Sequence, residues 1–398
     1  MHIQSDICII GDGAIGKVAA LGFAQAGLKV SLLSPSRVVA SAPASTAVPQ
    51  AWDARVYAVN HVAHDLLSGV KVWEALDASR VAAVDAMVVK GDTASVLAFD
   101  AYGARVGALA WIVEDRNLNQ ALDAALKFAS NVRMVHGRAL SLQANAAAAS
   151  VQLDNGDTLS AELLVGADGG QSWVRTQCEI DFDYRPYGQR AIVSNFACEK
   201  PHHGVAHQWF SPAEGIIALL PLPGNQVSLV WSAPDALADV LLQESLAQLA
   251  ARLSILAAEQ LGSLSPLQPE IVKSFPLALI RPHSITAARV ALIGDAAHVV
   301  HPLAGHGMNL GFADVAGLIK AVSERGADRD CGDARVLSRY ARSRKEDILL
   351  MQLATDGLAR LFGTEFEPLR IARNFGLNLV NRLPVLKRRL IGHALGKP

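Results

Sequence analysis

Residues Asp6 to Leu33 leave this chain little choice of fold. Asp6-Ile7-Cys8-Ile9-Ile10 has the unbroken apolar character of a strand buried on both faces, as in a parallel sheet. It ends in Gly11-Asp12-Gly13-Ala14-Ile15-Gly16. A helix is expected from about Lys17 to Ala26, Gly27 stops it, and a second strand runs from Lys29 to Leu33. Strand, glycine turn and helix in this order form the dinucleotide-binding fingerprint in the context that gives it meaning. Gly11 permits the tight turn, Gly13 leaves room for a pyrophosphate, and Gly16 lets the helix lie close on the sheet. The helix N-terminus, with Ala14 and Ile15 leading into it, offers free N–H groups and a partial positive charge to the phosphates. The acid usually found after the second strand, where it holds a ribose, is replaced by Ser34, a weaker partner for a hydroxyl. Arg37 leaves two readings open: a contact to the 2′-phosphate of NADP, or a solvated loop arginine.

Two further segments have the same shape. Arg289-Val290-Ala291-Leu292-Ile293 reads as a buried strand and runs into Gly294-Asp295-Ala296-Ala297-His298, then His301-Pro302 and Ala304-Gly305-His306-Gly307-Met308-Asn309-Leu310-Gly311. Asp295 is placed to accept hydrogen bonds from sugar hydroxyls, and the glycines let backbone pass close to a flat ligand before a helix begins. Between these lies Gly166-Ala167-Asp168-Gly169-Gly170-Gln171-Ser172, a strand end, an Asp-Gly turn and a helix start. Alone, it would pass for an ordinary connection with Ser172 as cap. Asp295, His298 and His301 also admit a metal site, but a helix start beside glycines suits a nucleotide better.

The chain has 398 residues, enough for two domains with real cores. Its net charge of −1 gives no reason to expect nucleic acid as a partner. Cys8, Cys178, Cys198 and Cys331 are scattered without a C-x-x-C pair, as expected in a reducing compartment. The first residues enter a strand directly, leaving no room for a signal peptide, and no apolar run is long enough to span a bilayer. The expected location is cytoplasmic, with peripheral contact to the inner face of the plasma membrane.

The remaining patterns sketch an α/β architecture. A loop is expected at 36–50, a strand at Trp111-Ile112-Val113, a helix from Asn117 to Ala129, and a hairpin turn at Asp154-Asn155-Gly156-Asp157. From 183 to 275 the chain is β-rich, with strands at His207 to Phe210, Gly215 to Leu222 and Gln226 to Trp231 and one helix near 237–258. Trp209, Phe210 and Trp231 are expected in the core. The Rossmann-like nucleotide domain is therefore discontinuous (1–70, 106–182 and 276–332), with an inserted, mostly antiparallel β-sheet domain (71–105 and 183–275) and a C-terminal helical region (333–398).

Taken together, the three motifs resemble those of the single-component FAD aromatic hydroxylases, the p-hydroxybenzoate hydroxylase superfamily. Within it the chain is most similar to the ubiquinone-biosynthesis hydroxylases, through Trp52-Asp53-Ala54-Arg55-Val56-Tyr57-Ala58-Val59-Asn60, Tyr187-Gly188-Gln189-Arg190-Ala191, Ala218-Leu219-Leu220-Pro221-Leu222, Val290 through Gly311, and Tyr340-Ala341-Arg342-Ser343-Arg344. The resemblance implies FAD as cofactor, NADH, NADPH or another donor as reductant, and O₂ as co-substrate. The substrate would be a polyprenylated phenol or quinol, hydroxylated through a flavin C4a-hydroperoxide. It implies pyrophosphate on Gly11, Gly13 and Gly16, Arg55 near the flavin, and Asp168 serving both FAD and the reductant's path. Asp295 would bind the ribityl chain, and the turn from Pro302 through Gly305, His306, Gly307, Met308 and Asn309 would place backbone N–H groups at the pyrimidine edge. His306 stands where the family usually has Gln. Leu219 and Pro221, with Pro302 and His306, are the candidates for the ring pocket. Other FAD oxidoreductases of this architecture, such as a soluble-phenol hydroxylase or a prenyl-chain reductase, and a non-catalytic scaffold of a quinone-biosynthesis complex remain alternatives. Arg370, Arg373, Arg382, Lys387, Arg388, Arg389 and Lys397 interleave with apolar residues, a pattern that suits either an anionic lipid surface or a helix packed on its own domain.

Overall fold

A computed structural model describes residues 1–35, 52–91, 96–267, 270–302 and 305–363. The expected loop at 36–50, Arg37 and the basic segment beyond Arg370 lie outside the described residues.

The opening strand, His2–Ile10, sits in the middle of an eight-stranded sheet. It pairs in parallel with Val30–Ser34 on one side and Thr158–Gly166 on the other. Thr158–Gly166 in turn pairs in parallel with Val290–Leu292. The ends of three strands, at Ile10, Gly166 and Leu292, thus lie side by side, although their motifs are far apart in sequence. Ligands in such sheets bind beyond the carboxyl ends of the strands, which is where all three glycine turns emerge.

The helix after the first turn runs from Ala14 to Gln25, beginning three residues before the expected Lys17. Gly13 adopts the extended conformation of an N-cap, and the Lys17 N–H already bonds back to its carbonyl at 3.0 Å. The second strand includes Ser34, one residue beyond the expected end. The hairpin turns where its sequence indicated, between Ala149–Leu153 and Thr158–Gly166, with Gly156 at φ 82°.

A second large sheet is built mainly from antiparallel strands. Its middle runs Phe182–Cys198, Gln226–Pro234, Gly215–Leu222, Val205–Ser211, Ala86–Lys90 and Val96–Asp100. Lys273–Pro282 pairs with Phe182–Cys198, so this sheet continues past residue 275. One face is covered by two helices, Asp235–Gln243 and Leu246–Leu261, where the sequence suggested one. The break falls at Glu244-Ser245, where Ser245 starts the second helix with a reciprocal capping box to Gln248. Trp209, Ile217, Leu219, Leu229 and Trp231 fill the space between sheet and helices. A small three-stranded sheet, Val56–Val59, Ala110–Glu114 and Val81–Val84, packs against the opposite face, with Ile112, Ala82 and Val84 meeting Ala206 and Leu222.

Helix His306–Ser323 lies on the opening helix, and a 30-residue helix, Ala334–Gly363, closes this side of the molecule. Among the described residues no helix is long and apolar enough to cross a membrane.

Candidate FAD site

One cavity of about 570 Å³ brings the distant motifs together. Gly13, Ala14 and Ile15 border it from the first turn, Ala167 and Gly169 from the second, and Gly294 and Asp295 from the third. Pro302, Gly305, Gly307 and Met308 complete that side, with Arg55 and Tyr57 from the small sheet. Two helix starts, at Ala14 and His306, open toward it, and neither has a side-chain cap. Unpaired N–H groups and the positive ends of both helix dipoles therefore face one space, each end favouring an anion by roughly 0.3–1 kcal/mol.

The glycines divide the labour. A Cβ on Gly16 would stand 1.9 Å from the Gly11 carbonyl oxygen, and one on Gly11 would stand 2.3 Å from that of Ala167. Those two positions close the turn upon itself and upon the neighbouring strand. A Cβ on Gly13 would meet nothing within 4 Å, and Gly13 is the one of the three that borders the cavity. The fit to a pyrophosphate is thus a matter of shape as well as of donors. Gly305 enters the His306–Ser323 helix at φ 69°, a left-handed conformation that suits glycine.

Asp295 is open to the cavity yet ringed by protein atoms. This burial pushes its carboxyl up, while His298 and Arg55 draw it down. Arg55 lies over the rings of Tyr57 and Phe275, at 5.4 Å and 5.8 Å from their centroids. Asp53 holds it there, accepting the Arg55 backbone N–H at 3.1 Å and the Lys273 ammonium at 2.9 Å. The Asp53 carbonyl also receives the Asn195 amide at 2.9 Å, so Asp53 joins this loop to the large sheet.

Several expected contacts are differently used. Ser34 is buried and donates its hydroxyl to Asp12 Oδ2 at 2.5 Å instead of waiting for a ribose. A carboxylate therefore does stand at the end of the second strand, supplied by the glycine turn. The Asp168 carboxylate is spent within its own turn, accepting from Ser172 Oγ at 2.5 Å and from the Val174 N–H at 3.0 Å. Its neighbours Ala167 and Gly169 border the cavity in its place. The Asn309 side chain accepts the Asn60 N–H at 3.0 Å and donates to the Ala58 carbonyl at 2.7 Å, clamping the small sheet to the last glycine turn. The His306 side chain lies outside the described part of the structure.

The ring-pocket expectation needs a larger correction. Leu219 is fully buried in the helix-covered core, and Pro221, two residues on, shares its face. Their neighbours Ala218 and Leu220 point the other way and border the cavity. With Ala191, Val193, Val230 and Leu277 they form an apolar wall opposite the glycine motifs.

The histidines do not converge with Asp295. His298 Nε2 lies 2.5 Å from Asp314, which also accepts the Gly294 N–H at 3.0 Å and Arg344 Nε at 2.9 Å. His301 Nε2 meets Gln189 Oε1 at 3.0 Å, and the Tyr187 ring stands edge-on to it at 5.0 Å. Among the described residues no cluster of metal-ligating side chains is present.

Burial holds His301 neutral and draws its pKa from 6.5 down to about 4. Below pH 6.5 the unfolded chain takes up a proton that folded His301 refuses. Stability present above that pH is therefore lost on acidification, by about 3 kcal/mol at most from this residue at 1.36 kcal/mol per pKa unit. Urea midpoints measured across this range should fall with acid and flatten in His301→Gln. Identical slopes in both proteins would refute the assignment.

A cavity held between glycine turns on one side and an apolar sheet on the other belongs to a flavoprotein of the p-hydroxybenzoate hydroxylase-like fold. The chain belongs to the FAD binding domain family, whose model matches residues 4–348, and within it to the ubiquinone-biosynthesis hydroxylases. It is 34% identical to the ubiquinone hydroxylase UbiL of Rhodospirillum rubrum, over 98% of this chain and 90% of that protein. It is also 34% identical to the 3-demethoxyubiquinol 3-hydroxylase of Escherichia coli, over 98% of both. In fold it matches the crystal structure of p-nitrophenol 4-monooxygenase PnpA from Pseudomonas putida, with a TM-score of 0.75 at 17% identity, covering 100% of this chain and 99% of that one.

Proposed function

We propose that this protein is an FAD-dependent monooxygenase that hydroxylates the aromatic ring of a polyprenylated phenol or quinol on the way to ubiquinone. The observation that carries this reading is the two-sided cavity. Its glycine side suits an anionic, flat cofactor, and its sheet side suits an apolar ring. The names of the full-length relatives, both hydroxylases of ubiquinone or its precursor, supply the substrate class.

Gly13, Ala14 and Ile15 would hold the pyrophosphate, Asp295 the ribityl hydroxyls, and the backbone from Gly305 to Met308 the pyrimidine edge. Bound there, FAD supplies the acceptance of electrons from the reductant and the activation of O₂. The chain's own contribution is placement and exclusion. The start of the His306–Ser323 helix favours negative charge at the pyrimidine edge. Arg55 adds a fixed positive charge on the same cavity. Ala218, Leu220 and Val230 keep water from the reacting ring, which protects a reactive oxygen donor from wasteful decay.

The test is turnover by purified, FAD-loaded protein given a short-chain prenylated phenol, NADH or NADPH, and O₂. Oxygen uptake matched by a ring-hydroxylated product is expected. Protein that refuses FAD, or that reduces the prenyl chain without consuming oxygen, would overturn the proposal.

A further inference from the structure

We propose that Gln208 orients the substrate ring by hydrogen bonding to one of its oxygen substituents; this deepens the hydroxylase reading and rests on it. Gln208 lies in strand Val205–Ser211, directly opposite Ala218 in the neighbouring strand. The strand's alternation assigns its faces. His207 stacks on Trp209, with ring centroids 5.7 Å apart, and Trp209 belongs to the core beneath the two covering helices. Ala206, Gln208 and Phe210 therefore share the other face, where Ala206 packs with the small sheet. Gln208 borders the cavity on this face, among Ala218, Leu220, Val230 and Val193.

Only 4% of Gln208 is exposed, it borders the cavity, and its side-chain amide makes no hydrogen bond to the described residues. Its backbone is fully used in the ladder, so only the side chain is left over. Because it opens on the cavity, this amide would be left without a partner once an apolar ring displaced the water there, and an amide in that position is costly. A ligand oxygen at the wall would repay that cost. The amide offers both N–H donors and a carbonyl acceptor, so it can accept from a phenolic or quinolic hydroxyl and donate to a ring oxygen. An otherwise apolar wall grips a ring by area alone and leaves its rotation free. One directional contact fixes which carbon faces the flavin side.

His207 also borders the cavity, but its ring stacks on Trp209 toward the helix-covered core, away from the face of Ala218 and Leu220. The Tyr57 hydroxyl donates to Asp115 at 2.7 Å, and Asn119 donates to the same carboxylate at 3.0 Å. Asp295 belongs to the glycine motif that follows Ile293, and Arg55 lies over the Tyr57 and Phe275 rings. Gln208 is thus the amide that the sheet presents on the face of Ala218 and Leu220.

The experiment compares two ligands on FAD-loaded protein without reductant, followed by the perturbation of flavin absorbance. One is a short-chain prenylated phenol, the other the prenylated benzene of the same chain length. The native protein should bind the phenol roughly tenfold tighter, about 1.4 kcal/mol. Gln208→Leu should bind the two alike, with its affinity for the hydrocarbon unchanged. It should also turn more of its oxygen into peroxide and less into hydroxylated product. Gln208→Met provides the comparison if the leucine variant does not retain flavin. A variant that keeps the native preference for the phenol overturns this proposal alone. Native protein that binds neither ligand overturns it together with the substrate reading.

Discussion

Replacing Asp314 by alanine is expected to destabilise the protein by about 3–5 kcal/mol, the range for removing one partner of a buried charge pair. Asp314 is fully buried and serves three donors: the Gly294 N–H, His298 and Arg344. Alanine would leave Arg344, itself 5% exposed, with Asp347 at 2.6 Å as its one ion-pair partner among the described residues. It would also free the turn that carries Asp295, so FAD affinity should fall along with stability. Urea denaturation and titration of apoprotein with FAD would read the two effects. Asp314→Asn, which keeps the shape and one acceptor, should lose less of both. A loss below about 1 kcal/mol in the alanine variant would show that the network contributes little.

Gly16→Ala is the second large effect. Its new Cβ would meet the Gly11 carbonyl oxygen at 1.9 Å, and a backbone atom cannot swing aside as a side chain can. The turn must open, so both apoprotein stability and FAD binding should suffer, the latter by roughly a hundredfold, about 2.7 kcal/mol. Gly13→Ala is the matched control. Its Cβ would meet no protein atom within 4 Å, so thermal stability of the apoprotein should hold while FAD affinity falls. If both variants melted and bound FAD alike, the division of roles between closing the turn and admitting the ligand would be wrong.

These contrasts also explain what could be read in advance. The glycine turns were legible because their constraint is steric and local. Gly11 and Gly16 are required by atoms of the turn itself or of the strand beside it. The apolar runs at Ile7–Ile10 and Leu163–Val165 marked buried strands, while their pairing order came only with the structure. The wall of the ring pocket was not legible. Strand Gly215–Leu222 is apolar on both faces, so its sequence has no phase, and only the helices packed on Leu219 reveal that Ala218 and Leu220 face the cavity. Asp168 and Ser34 illustrate a second limit. A sequence shows an acid or a hydroxyl, but not whether a neighbour claims it first. Asp314 was within reach: it is the sole acid in the His306–Ser323 helix, on an otherwise apolar stretch, and such an acid implies a buried partner. Gln208 had a comparable signal, a lone amide between Ala206 and Phe210 on one face of a strand, hidden because the chain there is buried on both sides.

The order of strands in the central sheet bears on how the protein is made. On the ribosome, His2–Ile10 has Val30–Ser34 as an early neighbour but must wait for Thr158–Gly166 to cover its other edge, and Val290–Leu292 joins later still. The newborn N-terminal half carries a glycine turn with no opposing acid, so cofactor capture is a late event of synthesis. A product that stops short of Asp295 would expose an apolar strand edge to other chains, which makes truncation a route to aggregation as well as to loss of activity.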